Sequence, residues 1–273
     1  MSQLWQILLI QPLLNTLIGI YRFTGNLGLT IILLTIGLRL ALNPLILPSL
    51  RLNKKMQELA PELAKLKVKF KDDKQGLVTA QAQLYKDHGA NPASGCLPQI
   101  IQLLILIALF SVFNSILLTN GDELAGKLNP SLYSFNQLAP DFRLSSNFLY
   151  LNLTQPDTIN IPGIPFAVPG IFLLLSALAQ LISSKMMTPI VSSEQKIAQK
   201  TSGSTDDTLV EAQQQMLFMF PLMTLFIGYK FASGLVLYWL IFSIAGIIQQ
   251  YNISGWGGAL PWLKKLHLVK STQ

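Results

Sequence analysis

Charge is scarce in this chain. Of 273 residues only 12% are Asp, Glu, Lys or Arg and 51% are hydrophobic, whereas soluble domains carry about 25% charged residues. Too few charged side chains exist to coat a water-soluble globule, so a bilayer is the expected solvent. Cysteine is nearly absent, with Cys96 alone, and histidine is limited to His88 and His267. One chain can therefore build neither a disulfide framework nor a dense Cys/His metal centre, which removes zinc and thiol redox chemistry. The long apolar runs hold no acid and no histidine. That leaves no proton relay, no intramembrane carboxylate pair and no nucleophile beside a base, so covalent catalysis is not expected and neither is a cofactor. A net charge of +7 invites nucleic acid, but its distribution reads as membrane orientation, and direct nucleic-acid binding is not expected.

What is present is a series of apolar runs. A helix needs about 20 mostly apolar residues to cross the hydrocarbon core. Four runs approach this outright and one falls a little short: 27–48, 97–118, 166–188, 216–231 and 234–251. The last two are joined by a turn at Ser233 and Gly234, which predicts a tight hairpin, and Pro169 and Pro221 fall near span starts, where a missing donor does least harm. Residues 1–24 are apolar at first but lack the basic start and cleavage site of a signal peptide. Pro12 and Asn15 weaken them as a span, so an amphipathic interfacial helix edged by Trp5, Tyr21 and Arg22 is expected, with an additional transmembrane helix as the alternative. The expected fold is all-α and polytopic: a five-helix transmembrane core over 25–251, a cytoplasmic helical hairpin, an N-terminal interfacial helix, and a tail over 252–273.

Orientation follows from the basic residues. Arg51, Lys54, Lys55, Lys65, Lys67, Lys69, Lys71, Lys74 and Lys86 all lie between the first two spans, out of 20 in the chain. That places the segment 51–89 in the cytoplasm. The segment 119–165, with only Lys127 and Arg143, belongs outside, together with the turn near Lys230. The N-terminus is then outside and the C-terminus inside, with Lys264, Lys265 and Lys270. Within 51–89, Leu52, Met56, Leu59, Leu63, Leu66 and Phe70 recur at intervals of four and three, a coiled-coil seam that Leu77, Ala80 and Leu84 continue beyond a turn at Asp72, Asp73 and Lys74. Pro61 predicts a kink or a fresh helix start. The hairpin is either a solvated connector or a landing surface for lipid headgroups or incoming protein. Residues 189–215, rich in Ser, Thr, Gly and Asp around 201–207, read as a flexible linker.

Polar residues inside the spans carry the functional reading. Arg39 lies near the middle of the first span, where a charge costs about 2.5–3.5 kcal/mol. Thr35, Arg39 and Asn43 are spaced four apart and form one stripe. Gln99 and Gln102 in the second span, Ser176, Gln180 and Ser183 in the third, and Trp239, Ser243 and Gln250 in the fifth form further strips. A lone Ser, Thr or Gln here is ordinarily an interhelical hydrogen bonder. Arg39 instead calls for water or a polar guest, which predicts a hydrophilic groove open to the cytoplasm and sealed on the outer side. A fixed charge at low dielectric would attract an acidic segment of another chain.

Several motifs match one family. Gly25, Asn26, Leu27 and Gly28, then Ile31 to Thr35 and the set Arg39, Leu40, Asn43, Pro44, Leu45, resemble the first span of YidC-type membrane protein insertases and their mitochondrial and chloroplast relatives. So do Lys55, Met56, Gln57, Glu58, Leu59 and Pro61, then Leu84, Tyr85, Lys86, His88, Gly89, Asn91, Pro92, Gly95, Cys96, Leu97 and Pro98, and finally 218–221 with Gly234, Leu235, Val236, Leu237, Tyr238, Trp239, Ile248, Gln249, Gln250 and Tyr251. The resemblance implies a bacterial plasma-membrane insertase whose groove arginine, matching Arg39, receives the hydrophilic tail of a nascent membrane protein. Thr35 and Trp239 match contact positions, and Gln180 matches less surely. It further implies the Sec translocon, signal recognition machinery and ribosome as partners, the last weakly, because the tail is short and mildly basic. Departures are Ala232 and Ser233 before the Gly-Leu pair, and Ser243 followed by Ile244 where the family often has Ser-Asn. A membrane chaperone or assembly scaffold fits the same residues, and a small-solute transporter fits them less well, since no inverted repeat is found.

Overall fold

The computed structural model describes residues 3–70, 73–90, 97–117, 119, 123–163, 165–187 and 218–267, with 74 and 97–99 as backbone alone. It is a helical protein with several apolar helices able to cross a bilayer. By length and composition four helices qualify, including Gln3–Thr24 (α1), Leu27–Lys69 (α2) and Ser233–Ser254 (α8), the fourth window being Ile100–Leu117 within Leu97–Leu117 (α4). Ile171–Met187 (α6) and Phe218–Gly228 (α7) are shorter and apolar. Lys74–Asp87 (α3), Leu124–Leu128 (α5) and Leu260–Lys265 (α9) complete the helices used below. The expected linker 189–215 lies outside the described residues, as does Cys96.

The helices differ from expectation at their ends. α2 does not stop near 48 or restart at Pro61; it runs for 43 residues through Pro44, Pro48 and Pro61. Each proline deletes one backbone donor, and the intact turns around it carry the helix on. The third span begins at Ile171 rather than 166, because Val168–Pro169 pairs as a strand with Thr158–Ile159. In α1 the backbone widens over Gln6–Ile10 just ahead of Pro12, with the Gln11 amide reaching back to the Gln6 carbonyl. The helix ends at Gly25, whose φ of 60° suits glycine.

The chain forms two compact units. The first comprises 1–42, 99–178 and 222–245. Its core includes Leu17, Ile18, Ile31, Ala108, Val112 and Leu237. One face of α1 is buried there at Leu14, Leu17 and Ile18, while Leu4, Ile7 and Leu8 are exposed. The uncovered face of its first turns is thus apolar, and α1 is long enough to cross, the alternative given above. Asn15 is buried and ties α1 to the following loop: its side chain donates to the Ser131 carbonyl (3.2 Å) and accepts from the Tyr133 amide (2.8 Å).

Within this unit one loop satisfies the starts of three helices. The Leu27 amide donates to the Ser145 carbonyl, Leu173 to Asp157 Oδ2 (2.8 Å), and Gly234 to the Leu153 carbonyl (3.1 Å). In lipid the unpaired amides of a first helical turn must find acceptors, and the loop supplies them. Asn147–Phe148 (β1) pairs with Leu151–Asn152 (β2) in the same loop, and a Cβ on Gly28 would run into the Phe148 ring.

The second unit comprises 43–98, 179–221 and 246–273. Leu52, Leu59 and Ala90 are buried together, with Met56, Leu63, Leu84 and Tyr85 against them, so the expected seam is the inside of a helical hairpin. Asp73 caps α3 by accepting from the Gly76 amide (2.8 Å). A separate cluster of Met186, Ala259 and Leu263 joins the end of α6 to α9, and Gln57 Nε2 donates to the Met186 carbonyl (2.8 Å).

Candidate functional site

The first unit places Arg39 on α2 against α8. Its Nη2 donates to the Phe242 carbonyl (2.9 Å), and the guanidinium carbon lies 3.5 Å from the centroid of the Phe242 ring. A helical carbonyl keeps a second lone pair after accepting its own i+4 amide, so the bond costs the helix nothing. Tyr238, one turn before Phe242, stacks on it at 5.7 Å in a tilted arrangement. Its hydroxyl accepts from Gln102 Nε2 of α4 (2.9 Å). A continuous set therefore runs across three helices: Gln102, Tyr238, Phe242, Arg39. Arg39 is half-buried in it, held by a carbonyl and an aromatic face.

The other expected residues of this unit stand in different settings. Thr35 is buried and its hydroxyl donates to the Ile31 carbonyl one turn earlier (2.6 Å), so its proton is used within α2 while its oxygen can still accept. Trp239 is partly buried against the core, and Ser243 is buried. Gln99 belongs to α4, but its side chain lies outside the described residues. Ser176 is fully buried, with its hydroxyl making no hydrogen bond among the described residues.

The second unit holds the remaining three. Asn43 Oδ1 accepts from Gln249 Nε2 (3.2 Å), the neighbour of the expected Gln250. Gln250 itself is buried and donates to Ser254 Oγ (2.7 Å) on its own helix. Gln180 is half-buried on α6.

Phe242, Tyr238 and Gln249 were not expected as site residues. All three adjoin expected ones, Trp239, Ser243 and Gln250, and point from the neighbouring position of the same helix. Phe242 offers no polar contrast in an apolar run, so its ring and carbonyl leave no mark in the sequence.

Comparison with known proteins bears on this arrangement. Residues 19–257 match the family model described as 60Kd inner membrane protein. A "Membrane protein insertase YidC" of Pelobacter propionicus is 33% identical over 252 residues, covering 92% of this chain and 39% of that protein. One of Fusobacterium nucleatum is 32% identical over 232 residues, covering 85% of this chain and 88% of its own length. A third, of Geobacter sulfurreducens, is 28% identical over 250 residues and 38% of its length. The chain thus spans about two fifths of the length of two of these relatives and nearly nine tenths of the other. With its family model matched over most of its length, the chain belongs to the YidC family of membrane protein insertases, the 60Kd inner membrane protein family.

Proposed function

We propose that this chain inserts integral membrane proteins into the bilayer and assists their folding, by taking a substrate's hydrophilic segment into a groove that contains Arg39 and opens to the cytoplasm. The observation that carries the reading is Arg39 itself, a guanidinium within an apolar helix long enough to span a membrane, whose contacts include a carbonyl and a ring face of α8. Such contacts are exchangeable. An acidic tail offers a carboxylate, which a guanidinium binds more strongly at low dielectric than either. Burial of the substrate's apolar span then supplies the driving force, about 25 cal/mol per Å² of apolar area. Gln102, Trp239 and Ser243 would line the same groove, and no nucleotide hydrolysis by this chain is involved. Nascent membrane proteins are the substrates, with the Sec translocon, the signal recognition machinery and the ribosome as partners, in a bacterial plasma membrane with the C-terminus in the cytoplasm.

The test is protease-protected insertion of a short single-span protein with an acidic N-terminal tail, in liposomes holding the wild type or Arg39→Ala. The expected result is translocation of the tail by the wild type and a large loss with the variant. Equal insertion by both would remove the role of Arg39. If neither exceeds empty liposomes, insertion by this chain alone is wrong and a chaperone role takes its place.

A further inference from the structure

Three large apolar side chains of the first unit stand uncovered beside helix ends: Phe23 is 93% exposed, Leu149 78% and Phe166 66%. Phe23 closes α1, three residues before Asn26, whose side chain caps α2 by accepting from the Leu29 amide (3.1 Å). Leu149 is the tip of the β1–β2 hairpin and has a φ of 52°, a conformation that disfavours branched residues and suits Gly or Asn. Phe166 precedes Ala167, whose carbonyl accepts from the Tyr229 hydroxyl (2.9 Å) at the end of α7.

The hairpin tip is held in place. Phe148 lies on Gly28 at the start of α2, and Tyr150 accepts from the Phe172 amide at the start of α6 (3.1 Å) with its ring 5.6 Å from that of Phe172. The lipid-facing surfaces of those helices begin at once, with Leu29 and Ile171 both exposed. Leu149 therefore continues two apolar surfaces at their ends. A strained leucine at a fixed, uncovered tip is hard to account for in water, where asparagine or glycine would relieve the backbone and remove the apolar exposure. It is expected where headgroups give way to acyl chains, the depth at which amphipathic and aromatic anchors hold a membrane protein.

We propose that Phe23, Leu149 and Phe166 are lipid anchors, seated at the headgroup–acyl boundary of the leaflet that contains the starts of α2, α6 and α8. They fix the depth of the loop that caps those three helices. The occupant of this surface is lipid, because it is continuous with the exposed faces of the spans. The inference rests on these helices crossing a bilayer; neither insertion activity nor the direction in which the chain faces enters it.

The experiment places an environment-sensitive NBD probe at Leu149→Cys, and separately at Phe166→Cys, in the full chain carrying Cys96→Ser. Each protein is reconstituted in phosphatidylcholine–phosphatidylglycerol vesicles with or without acyl-chain doxyl lipid. Leu33→Cys on the exposed face of α2 and Asp141→Cys on the exposed loop serve as lipid and water references. Both tip probes are expected to emit to the blue of the Asp141 probe and to lose most of their emission to doxyl lipid and little to iodide. Quenching by iodide and not by doxyl lipid would overturn the proposal, and so would protection from both, which means cover by protein such as a second copy. If the Leu33 probe also escapes doxyl lipid, it is the membrane-crossing reading that fails.

Discussion

Arg39 carries a cost and its repayment on the same few atoms. Placing the charge in a span costs about 2.5–3.5 kcal/mol. A hydrogen bond from a charged donor returns about 1.5–3 kcal/mol and a ring face about 0.5–2 kcal/mol, so the contacts to Phe242 can hold the arginine in its resting place. An incoming carboxylate has to displace contacts of that size. Arg39→Lys keeps the charge but lacks the planar fork that reaches a carbonyl and a ring together. In the protease-protection assay it is expected to fall between the wild type and Arg39→Ala. Phe242→Leu removes the ring and keeps the carbonyl; thermal unfolding in detergent should shift down by an amount consistent with about 0.5–2 kcal/mol, with insertion retained. Arg39 was legible in the sequence because a lone charge in an apolar run has few explanations. Phe242 was not, since it differs from its neighbours only in what it faces. The partner of Asn43 was not legible for the same reason: Gln249 and Gln250 are equivalent in composition, and only helix rotation decides which of them meets Asn43.

At the level of elements, the helices were readable and their fastenings were not. Apolar run length and the four-three spacing of Leu52, Met56, Leu59 and Leu63 are local signals, and the hairpin seam follows them. The loop reaches α2 from Ser145 to Leu27 and α8 from Leu153 to Gly234, pairs roughly 80 to 120 positions apart, and α6 from Asp157 to Leu173, 16 apart, and no helix or strand period encodes any of them. Asp157 is its clearest part: nearly fully buried, it accepts from the Leu173 amide and from the Tyr150 hydroxyl (2.9 Å), and a Cβ on Gly170 would strike its carboxylate. Asp157→Ala strands the Leu173 amide and is expected to cost about 1–3 kcal/mol, read as a lower unfolding midpoint, with Asp157→Asn milder because an acceptor remains. Desolvation raises the Tyr150 pKa above its usual value, so the phenol stays protonated and able to donate. Its contribution is full below the ordinary tyrosine pKa and is lost as pH rises through the higher folded value. Gly28 gives a second test. Gly28→Ala should destabilise by forcing the Phe148 ring aside, and in the double variant with Phe148→Ala the added cost of the methyl should largely vanish, a coupling that a thermodynamic cycle measures directly.

For the whole molecule the length of α2 and the placement of its charges argue together. Forty-three residues make a helix about 64 Å long, roughly twice the hydrocarbon thickness, so its C-terminal half leaves the bilayer. That half carries Arg51, Lys54, Lys55, Lys65, Lys67 and Lys69, whereas the loop 123–163 has only Lys127 and Arg143. By the positive-inside rule, a basic arm and a loop poor in basic residues predict opposite sides of the membrane, with the hairpin in the cytoplasm. The asymmetry was visible in the sequence; that the span and the hairpin arm are one unbroken helix was not, because three prolines argue locally for breaks that the flanking turns override. The charge asymmetry makes the sidedness of the two segments directly testable. In cells expressing the Cys96→Ser chain, a membrane-impermeant maleimide should therefore label Asp141→Cys in intact spheroplasts and Lys65→Cys only after lysis. The reverse pattern would invert the orientation and put the proposed Arg39 groove on the wrong side for a substrate made in the cytoplasm. Equal labelling of both positions in intact spheroplasts would mean two orientations coexist, which the six charges on one arm of α2 make energetically unequal, at about 1 kcal/mol for each basic residue held near an anionic surface.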